Sequence, residues 1–224
     1  MARPQQRSRR ALLAGATGLV GHTLLGLLLR QHRTVDVLLR RRSAGFEASA
    51  QLRLHVVDYA HLDSVPAVDD VFIALGTTIK NAGSQAAFRA VDLDAVVATA
   101  RAARAAGATR LAVVSALGAD AASGVFYNRV KGEMEAAVCR LGFESVTIAR
   151  PSLLLGDRAA LGQAERPGEK WATRLAAPFM PLMPRALRPI TAAKVARALV
   201  AAAAACISAE SRIRTPAWPA AAGV

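Results

Sequence analysis

The sequence predicts an α/β domain of the doubly wound type: a mostly parallel sheet of six to seven strands with a small C-terminal region on the substrate side. Three observations predict it. Gly15, Gly18 and Gly21 fall between an apolar run at 11–14 and a second one at 24–29, the pattern of a strand, a tight turn and a helix start. Short apolar runs then alternate with longer stretches of helical period, as strand–helix–strand units require. Small, hydroxyl or charged residues follow the ends of those runs, where an open parallel sheet holds its ligands.

The totals agree with one domain. A chain of 224 residues buries a continuous core without help from metal or disulfides. Residues 1–9 read as a disordered basic tail, and residues 10–224 as the domain. Cys139 and Cys206 are far apart and form no CxxC pair, and His22, His32, His55 and His61 lack metal spacing, so no metal site is expected. Reduced cysteines suggest a cytoplasmic protein. The net charge of +13 comes mainly from arginine, but aromatic residues make up only 4%, too few for a base-stacking surface. Nucleic acid is therefore not an expected partner, and the arginines read as solvated faces with a few gathered at an anionic cofactor. The basic start followed by apolar residues 11–29 resembles a secretory leader or anchor. Three glycines in seven residues argue against a membrane helix, and removing the stretch would delete the turn. No membrane span is expected.

Taken in order, residues 11–14 form the first strand and residues 19–31 a helix whose N-terminus points at phosphates, where the helix dipole and unpaired N–H groups favour negative charge. The turn between them, Gly15-Ala16-Thr17-Gly18-Leu19-Val20-Gly21, is a dinucleotide-binding signature: one glycine for the bend, one for close approach to a pyrophosphate, one for helix packing. Residues 34–39 are a second strand ending on Arg40, Arg41 and Arg42. An acidic residue there would suit ribose hydroxyls, whereas guanidinium groups suit a 2′-phosphate, so NADP(H) is preferred over NAD(H); the plain alternative is a solvated basic loop. Asp36 lies inside the strand and is poorly placed for the ribose. A third strand, 52–57, leads to Asp58, placed to meet the adenine amino group. A fourth, 71–75, ends on Leu75 and runs into Gly76-Thr77-Thr78 at the cofactor edge.

Residues 85–106 read as one helix with Phe88, Val91, Ala95, Val96 and Ala102 inward, and with Asp92 and Asp94 as surface charges. Strand 111–114 ends on Ser115. A helix starting near Ser123 carries Tyr127 and Lys131 four residues apart, one above the other on one face, while Phe126, Val130, Met134 and Ala137 pack inward. A sixth strand, 145–149, leads to Arg150-Pro151. Residues 151–190 are the substrate side, 192–205 a helix, and 213–216 a last edge strand.

Together these motifs resemble the short-chain dehydrogenase/reductases, specifically their atypical branch of Tat-interacting-protein-like and nucleoside-diphosphate-sugar-epimerase-like members. The likeness runs from the glycine turn through Arg40-Arg41, Val57-Asp58, Leu75-Gly76-Thr77-Thr78, Val91-Asp92, Ser115 with Gly118-Ala119-Asp120, and Tyr127 with Lys131-Gly132-Glu133. It continues through Arg150-Pro151, Gly156-Asp157-Arg158 and Arg166-Pro167-Gly168-Glu169. The resemblance implies a Rossmann domain in which Gly15, Thr17, Gly18, Leu19, Val20 and Gly21 form the cofactor-binding turn, the N–H groups of Thr17 to Val20 hold the pyrophosphate, and Arg40 and Arg41 hold the 2′-phosphate. It also places Asp58, Leu75, Gly76, Thr77, Thr78 and Pro151 along the cofactor. Ser115, Tyr127 and Lys131 then take the catalytic positions, with Lys131 also on the nicotinamide ribose. A phenol with a pKa of about 10 needs roughly 4 kcal/mol to fall by about three units, within reach of a nearby ammonium and an oxidised nicotinamide together.

Three functions follow as expectations. The first is an NADP(H)-dependent oxidoreductase acting on a small carbonyl or alcohol. The second is an NADPH-binding regulatory or partner-binding protein without turnover. The third, a sugar-nucleotide epimerase or dehydratase, is disfavoured by the 73 residues that follow Pro151, a small region for a nucleotide sugar. Relatives commonly form homodimers through the helices at 85–106 and 123–141.

Overall fold

The structure is a computed structural model that describes residues 9–30, 34–42, 45–152, 154–155 and 189–205. Six strands form one sheet: β1 (Arg10–Ala14), β2 (Thr34–Leu39), β3 (Leu52–Val56), β4 (Asp70–Ile73), β5 (Arg110–Val114) and β6 (Ser145–Ala149). Every pairing is parallel, in the order β3-β2-β1-β4-β5-β6. The order reverses between β1 and β4, and that switch point is where such a sheet opens a crevice beyond its carboxyl ends. A separate pair, β7 (Leu154–Leu155) and β8 (Ile190–Thr191), is also parallel. The expected open α/β sheet is therefore present with six strands. Of the segment expected on the substrate side, only 151, 152, 154, 155, 189 and 190 are described; Gly156-Asp157-Arg158, Arg166-Pro167-Gly168-Glu169 and the expected strand at 213–216 lie outside the described residues.

Both faces of the sheet are covered, which is why its strands read as unbroken apolar runs. On one face Leu13, Val35 and Val37 pack with Leu24 and Leu28 of α1 (Leu19–Arg30) and with Val195, Ala196 and Leu199 of α6 (Ala192–Ala205). Each fully buried leucine there contributes on the order of 1.5–3 kcal/mol. On the other face Leu12, Val71, Ile73 and Val113 pack with Phe88, Val96, Ala100 and Ala103, and with Val130, Met134 and Val138 of α5 (Phe126–Cys139).

The expected single helix at 85–106 is two. α3 (Gln85–Arg89) passes through a π turn, Ala90–Asp94, into α4 (Ala95–Ala105). A π turn inserts one residue into the helical repeat, so the inward face slips from Phe88 to Asp92 and Leu93 and then to Val96, Ala100 and Ala103. Val91, expected inside, is only half-buried, and Asp92, expected on the surface, is buried. α2 (Ile79–Ala82) is a single turn capped by Thr78, whose hydroxyl accepts the Asn81 N–H at 3.1 Å.

At the opposite, amino edge of the sheet, Arg9 and Arg110 both donate to the buried Asp70. Arg9 was expected in a disordered tail and is instead fixed at 2.9 Å to that carboxylate; residues 1–8 lie outside the described residues.

α5 also begins later than expected, at Phe126, because the chain from 116 to 125 runs as turns across its flank. Gly132 is the point of contact. A Cβ there would lie 2.1 Å from the Ala121 nitrogen and 2.2 Å from the Asp120 carbonyl carbon, while the Asp120 N–H donates to the Asn128 carbonyl at 3.0 Å. Alanine is worth about 1 kcal/mol more than glycine in a helix, but here it would drive backbone into backbone. Gly132→Ala is expected to destabilise by about 3 kcal/mol, lowering Tm by roughly 6–12 °C for a chain of this size; thermal unfolding that leaves Tm unchanged contradicts the close crossing.

Candidate functional site

The glycine turn begins where β1 ends. Gly15 has φ +90°, and a Cβ on it would come within 2.5 Å of the Ala74 carbonyl carbon just beyond β4. A Cβ on Gly21 would come within 1.9 Å of the Gly15 carbonyl oxygen. Both positions exclude side chains through contact with backbone, and the result is a bend pressed between two neighbouring strands with α1 seated directly on it. The Gly18 N–H donates to the Gly15 carbonyl at 3.0 Å, closing the turn. No acidic residue occupies the first turn of α1, so its N-terminal dipole is free to favour an anion. Thr17 is exposed, Leu19 half-buried and Val20 buried.

Arg40, Arg41 and Arg42 follow β2 and are all exposed. Asp36 is turned away from them, fully buried, accepting from His55 Nε2 at 2.8 Å with the Arg10 guanidinium 3.8 Å away. His55 thus serves as the hydrogen-bond partner of this strand carboxylate. Beyond β3, Asp58 is exposed and caps the short helical turn Tyr59–His61. Its oxygens accept from the Ala60 N–H at 2.9 Å and from His61 Nδ1 at 2.8 Å. The hydrogen bond to His61, then that to Ala60, holds the Asp58 carboxyl below its ordinary pKa, and the same bond raises that of His61. Next to them burial pushes the Tyr59 phenol up to about 12, against a smaller downward pull from Arg40. Its hydroxyl donates to the Leu38 carbonyl at 3.2 Å.

The chain leaving β4 carries Leu75, Gly76, Thr77 and Thr78. Leu75 packs on the second core, and the Thr78 hydroxyl is engaged as a cap rather than held open for a ligand. The Thr77 N–H donates to Asp92 Oδ2 at 2.8 Å. Asp92 Oδ1 stands 2.7 Å from Lys131 Nζ, with the two side chains only 1% and 5% exposed. A Cβ on Gly76 would lie 3.4 Å from that oxygen and 3.9 Å from the ammonium. Lys131 is thus buried and ion-paired, not a charge on a solvated helix face, and Asp92 is its partner, not a surface residue.

Ser115 sits one residue past β5. Its N–H donates to the Ala149 carbonyl at 2.7 Å, which ties the carboxyl ends of β5 and β6 together. The hydroxyl is buried and has no hydrogen-bond partner among the described residues. Buried polar groups are rarely left so. Tyr127 is half-buried on the first turn of α5, its ring 5.5 Å from that of Phe88. Pro151 is buried, and its carbonyl accepts from the Leu117 N–H at 2.9 Å. One turn beyond Lys131, the buried Glu135 takes a two-pronged contact from Arg150 at 3.0 and 3.1 Å, clamping the end of β6 to the same helix. That contact is the main reason the Arg150 pKa lies above its ordinary value.

The sheet edge therefore collects the glycine turn, Arg40 and Arg41, the 75–78 chain, Ser115 and the helix bearing Tyr127 and Lys131. Among the described residues no group of three or more His, Cys, Asp or Glu side chains could hold a metal ion.

Residues 15–208 match a family described as NAD(P)H-binding. Protein HTATIP2 of Rattus norvegicus is 38% identical over 177 residues, 76% of this chain and 71% of the rat protein. Protein FMP52 of Eremothecium gossypii, named as mitochondrial, is 37% identical over 151 residues, 66% of this chain and 67% of its own. A short-chain dehydrogenase/reductase-family oxidoreductase from Burkholderia thailandensis shares the fold with a TM-score of 0.68 at 18% identity, over 94% of this chain and 91% of that one. Among the described residues no helix is long and apolar enough to cross a membrane; the mitochondrial name of the fungal relative lends no support to the cytoplasmic expectation. The chain belongs to the NAD(P)H-binding family that its residues 15–208 match, on an open, parallel α/β sheet of the Rossmann type.

Proposed function

We propose that the protein is an NADP(H)-dependent oxidoreductase that reduces a small carbonyl or oxidises the matching alcohol, with Tyr127 as its acid/base. The observation that carries this reading is Ser115, 4% exposed, whose buried hydroxyl lacks a partner among the described residues, at the same carboxyl edge of the sheet as the glycine turn. A hydroxyl left unpaired at that depth is suited to a substrate oxygen.

The chain fits a dinucleotide on its own features: a turn that side chains at 15 and 21 would obstruct, a helix start without acidic residues, and two exposed guanidinium groups past β2. The N–H groups of residues 17–20 would take the pyrophosphate, and Arg40 and Arg41 a 2′-phosphate. Asp36 is committed to His55 and does not compete for ribose hydroxyls. When bound, the nicotinamide supplies or accepts the hydride. Ser115 donates a hydrogen bond to the substrate oxygen, and Tyr127 delivers a proton to that oxygen during reduction and removes it during oxidation. Lys131 presents its ammonium to the ribose and, one turn from the phenol, favours the phenolate.

Binding without turnover uses the same crevice and differs only in the chemistry, so one variant separates the readings. Tyr127→Phe is expected to lower kcat for NADPH consumption with a reducible carbonyl by about 10²–10⁴-fold, the usual worth of a general acid, with the NADPH dissociation constant within about twofold. Turnover equal to wild type removes Tyr127 from the mechanism, and NADPH binding with no consumption across a carbonyl panel supports the binding protein. Cofactor choice has its own test. Wild type is expected to bind NADPH more tightly than NADH, and Arg40→Ala/Arg41→Ala to lose that preference by about tenfold or more, the size of a charge-assisted contact. Equal affinities in wild type contradict the 2′-phosphate assignment.

A further inference from the structure

The turn of α5 that carries Tyr127 is not held by a cap of its own. Val125 stands at the N-cap position and makes no side-chain hydrogen bond there, and no acidic residue occupies the first turn, so the local devices that pin a helix start are missing. Contacts from side chains take their place. The Arg129 guanidinium lies 5.8 Å from the centre of the Phe126 ring and donates to the Ser123 carbonyl at 3.1 Å. From α3 comes Phe88, whose ring meets two consecutive side chains of the turn: Phe126 at 5.8 Å and 59°, and Tyr127 at 5.5 Å and 43°. Phe88 itself is fully buried in the core with Val96, Val130 and Met134. Its short helix is fixed at the start by Ser84, whose hydroxyl accepts the Ala87 N–H at 3.0 Å. Tyr127 is only half-buried, so the immobile ring beside it carries much of the selection of its rotamer. Tilted aromatic pairs prefer particular mutual angles, so this contact selects orientation as well as filling volume.

We propose that Phe88 is a positioning residue for Tyr127: its ring fixes the direction of the phenol at the start of α5, and with it the path of the proton to the substrate oxygen. The proposal rests on the acid/base role given to Tyr127 above. Phe88 acts only through the phenol, so its replacement costs proton transfer and leaves dinucleotide binding alone. A residue that merely filled the core would, on replacement, lower stability without that split.

The test compares Phe88→Leu with Val138→Ala in the full chain. Both open space in the same core, but Val138 lies about 16 Å further along α5 than Tyr127. The first readout is the single-turnover rate of NADPH oxidation with a reducible carbonyl, beside the NADPH dissociation constant. Phe88→Leu is expected to slow that step about tenfold, part of the roughly 10²-fold that a misplacement of about 1 Å costs, with NADPH affinity within about twofold. Val138→Ala is expected to leave both within about twofold although it too lowers Tm. The second readout needs no turnover. The chain has two tyrosines, Tyr59 and Tyr127, so ring-labelled tyrosine gives two sets of NMR signals, which Tyr127→Phe assigns. The side-chain order parameter of Tyr127 in the NADPH complex is expected to fall in Phe88→Leu and to keep its wild-type value in Val138→Ala. A wild-type rate or wild-type order in Phe88→Leu overturns the proposal, as does an equal loss in Val138→Ala. If Phe88→Leu does not fold, Phe88→Met decides, because its flexible side chain refills the core without a rigid face: the rate is expected to fall at least about threefold and the order with it, and wild-type values overturn the proposal. A wild-type chain that binds NADPH and consumes none, or Tyr127→Phe turning over at the wild-type rate, is a failure of the earlier acid/base reading, and the order parameter then still decides whether Phe88 holds the ring.

Discussion

The backbone of the β1–α1 turn touches the backbone leaving β4, and most of the site depends on that approach. At Gly15 a Cβ would sit 2.5 Å from the Ala74 carbonyl carbon, and at Gly21 one would sit 1.9 Å from the Gly15 carbonyl oxygen. Neither neighbour is a side chain that can swing away. Glycine at these two places therefore sets the spacing between β1, β4 and the start of α1, and with it the width of the crevice at the switch point. Repacking of surrounding apolar residues cannot compensate, because the obstruction is backbone on backbone.

A second close approach sets the other wall. The chain after Ser115 lies against α5 at Gly132, and Arg150 holds Glu135 on the same helix. α5 is thus fixed to the ends of both β5 and β6, and Tyr127 and Lys131 come with it. The buried Asp92 completes the frame by joining α5 to the 76–77 chain. Turn, strand ends and helix face each other through backbone contacts and ion pairs, one of them buried, which is the kind of rigid mounting that acid–base and hydride chemistry needs.

Much of this was legible in the sequence, for physical reasons. Parallel strands covered on both faces must be apolar throughout, so residues 11–14, 34–39, 111–114 and 145–149 stood out as strands. Glycine spacing announced the turn, and Ser115 was legible because it directly follows an apolar run. Asp92 was not, because a helical-wheel argument assumes 3.6 residues per turn and the π turn at Ala90–Asp94 breaks that phase. The signal that could have found it was Lys131: a lysine placed at the cofactor and buried there needs an acid nearby. The Asp36–His55 and Glu135–Arg150 pairs were hidden for another reason. They join residues 19 and 15 positions apart across different elements, and nothing local marks a partner on another strand or at the end of one. Gly132 looked like one more weak point in a helix until the chain crossing it was in view.

The central claim is that this sheet edge holds a dinucleotide with its reactive end between Ser115 and Lys131. A crystal structure of the NADPH complex tests it most directly. The account predicts pyrophosphate oxygens on the N–H groups of residues 17–20, the 2′-phosphate at Arg40 and Arg41, and the nicotinamide ribose on the Lys131 ammonium with Asp92 still paired to it. A dinucleotide seated away from the glycine turn, or one whose nicotinamide lies remote from Ser115 and Lys131, would contradict it.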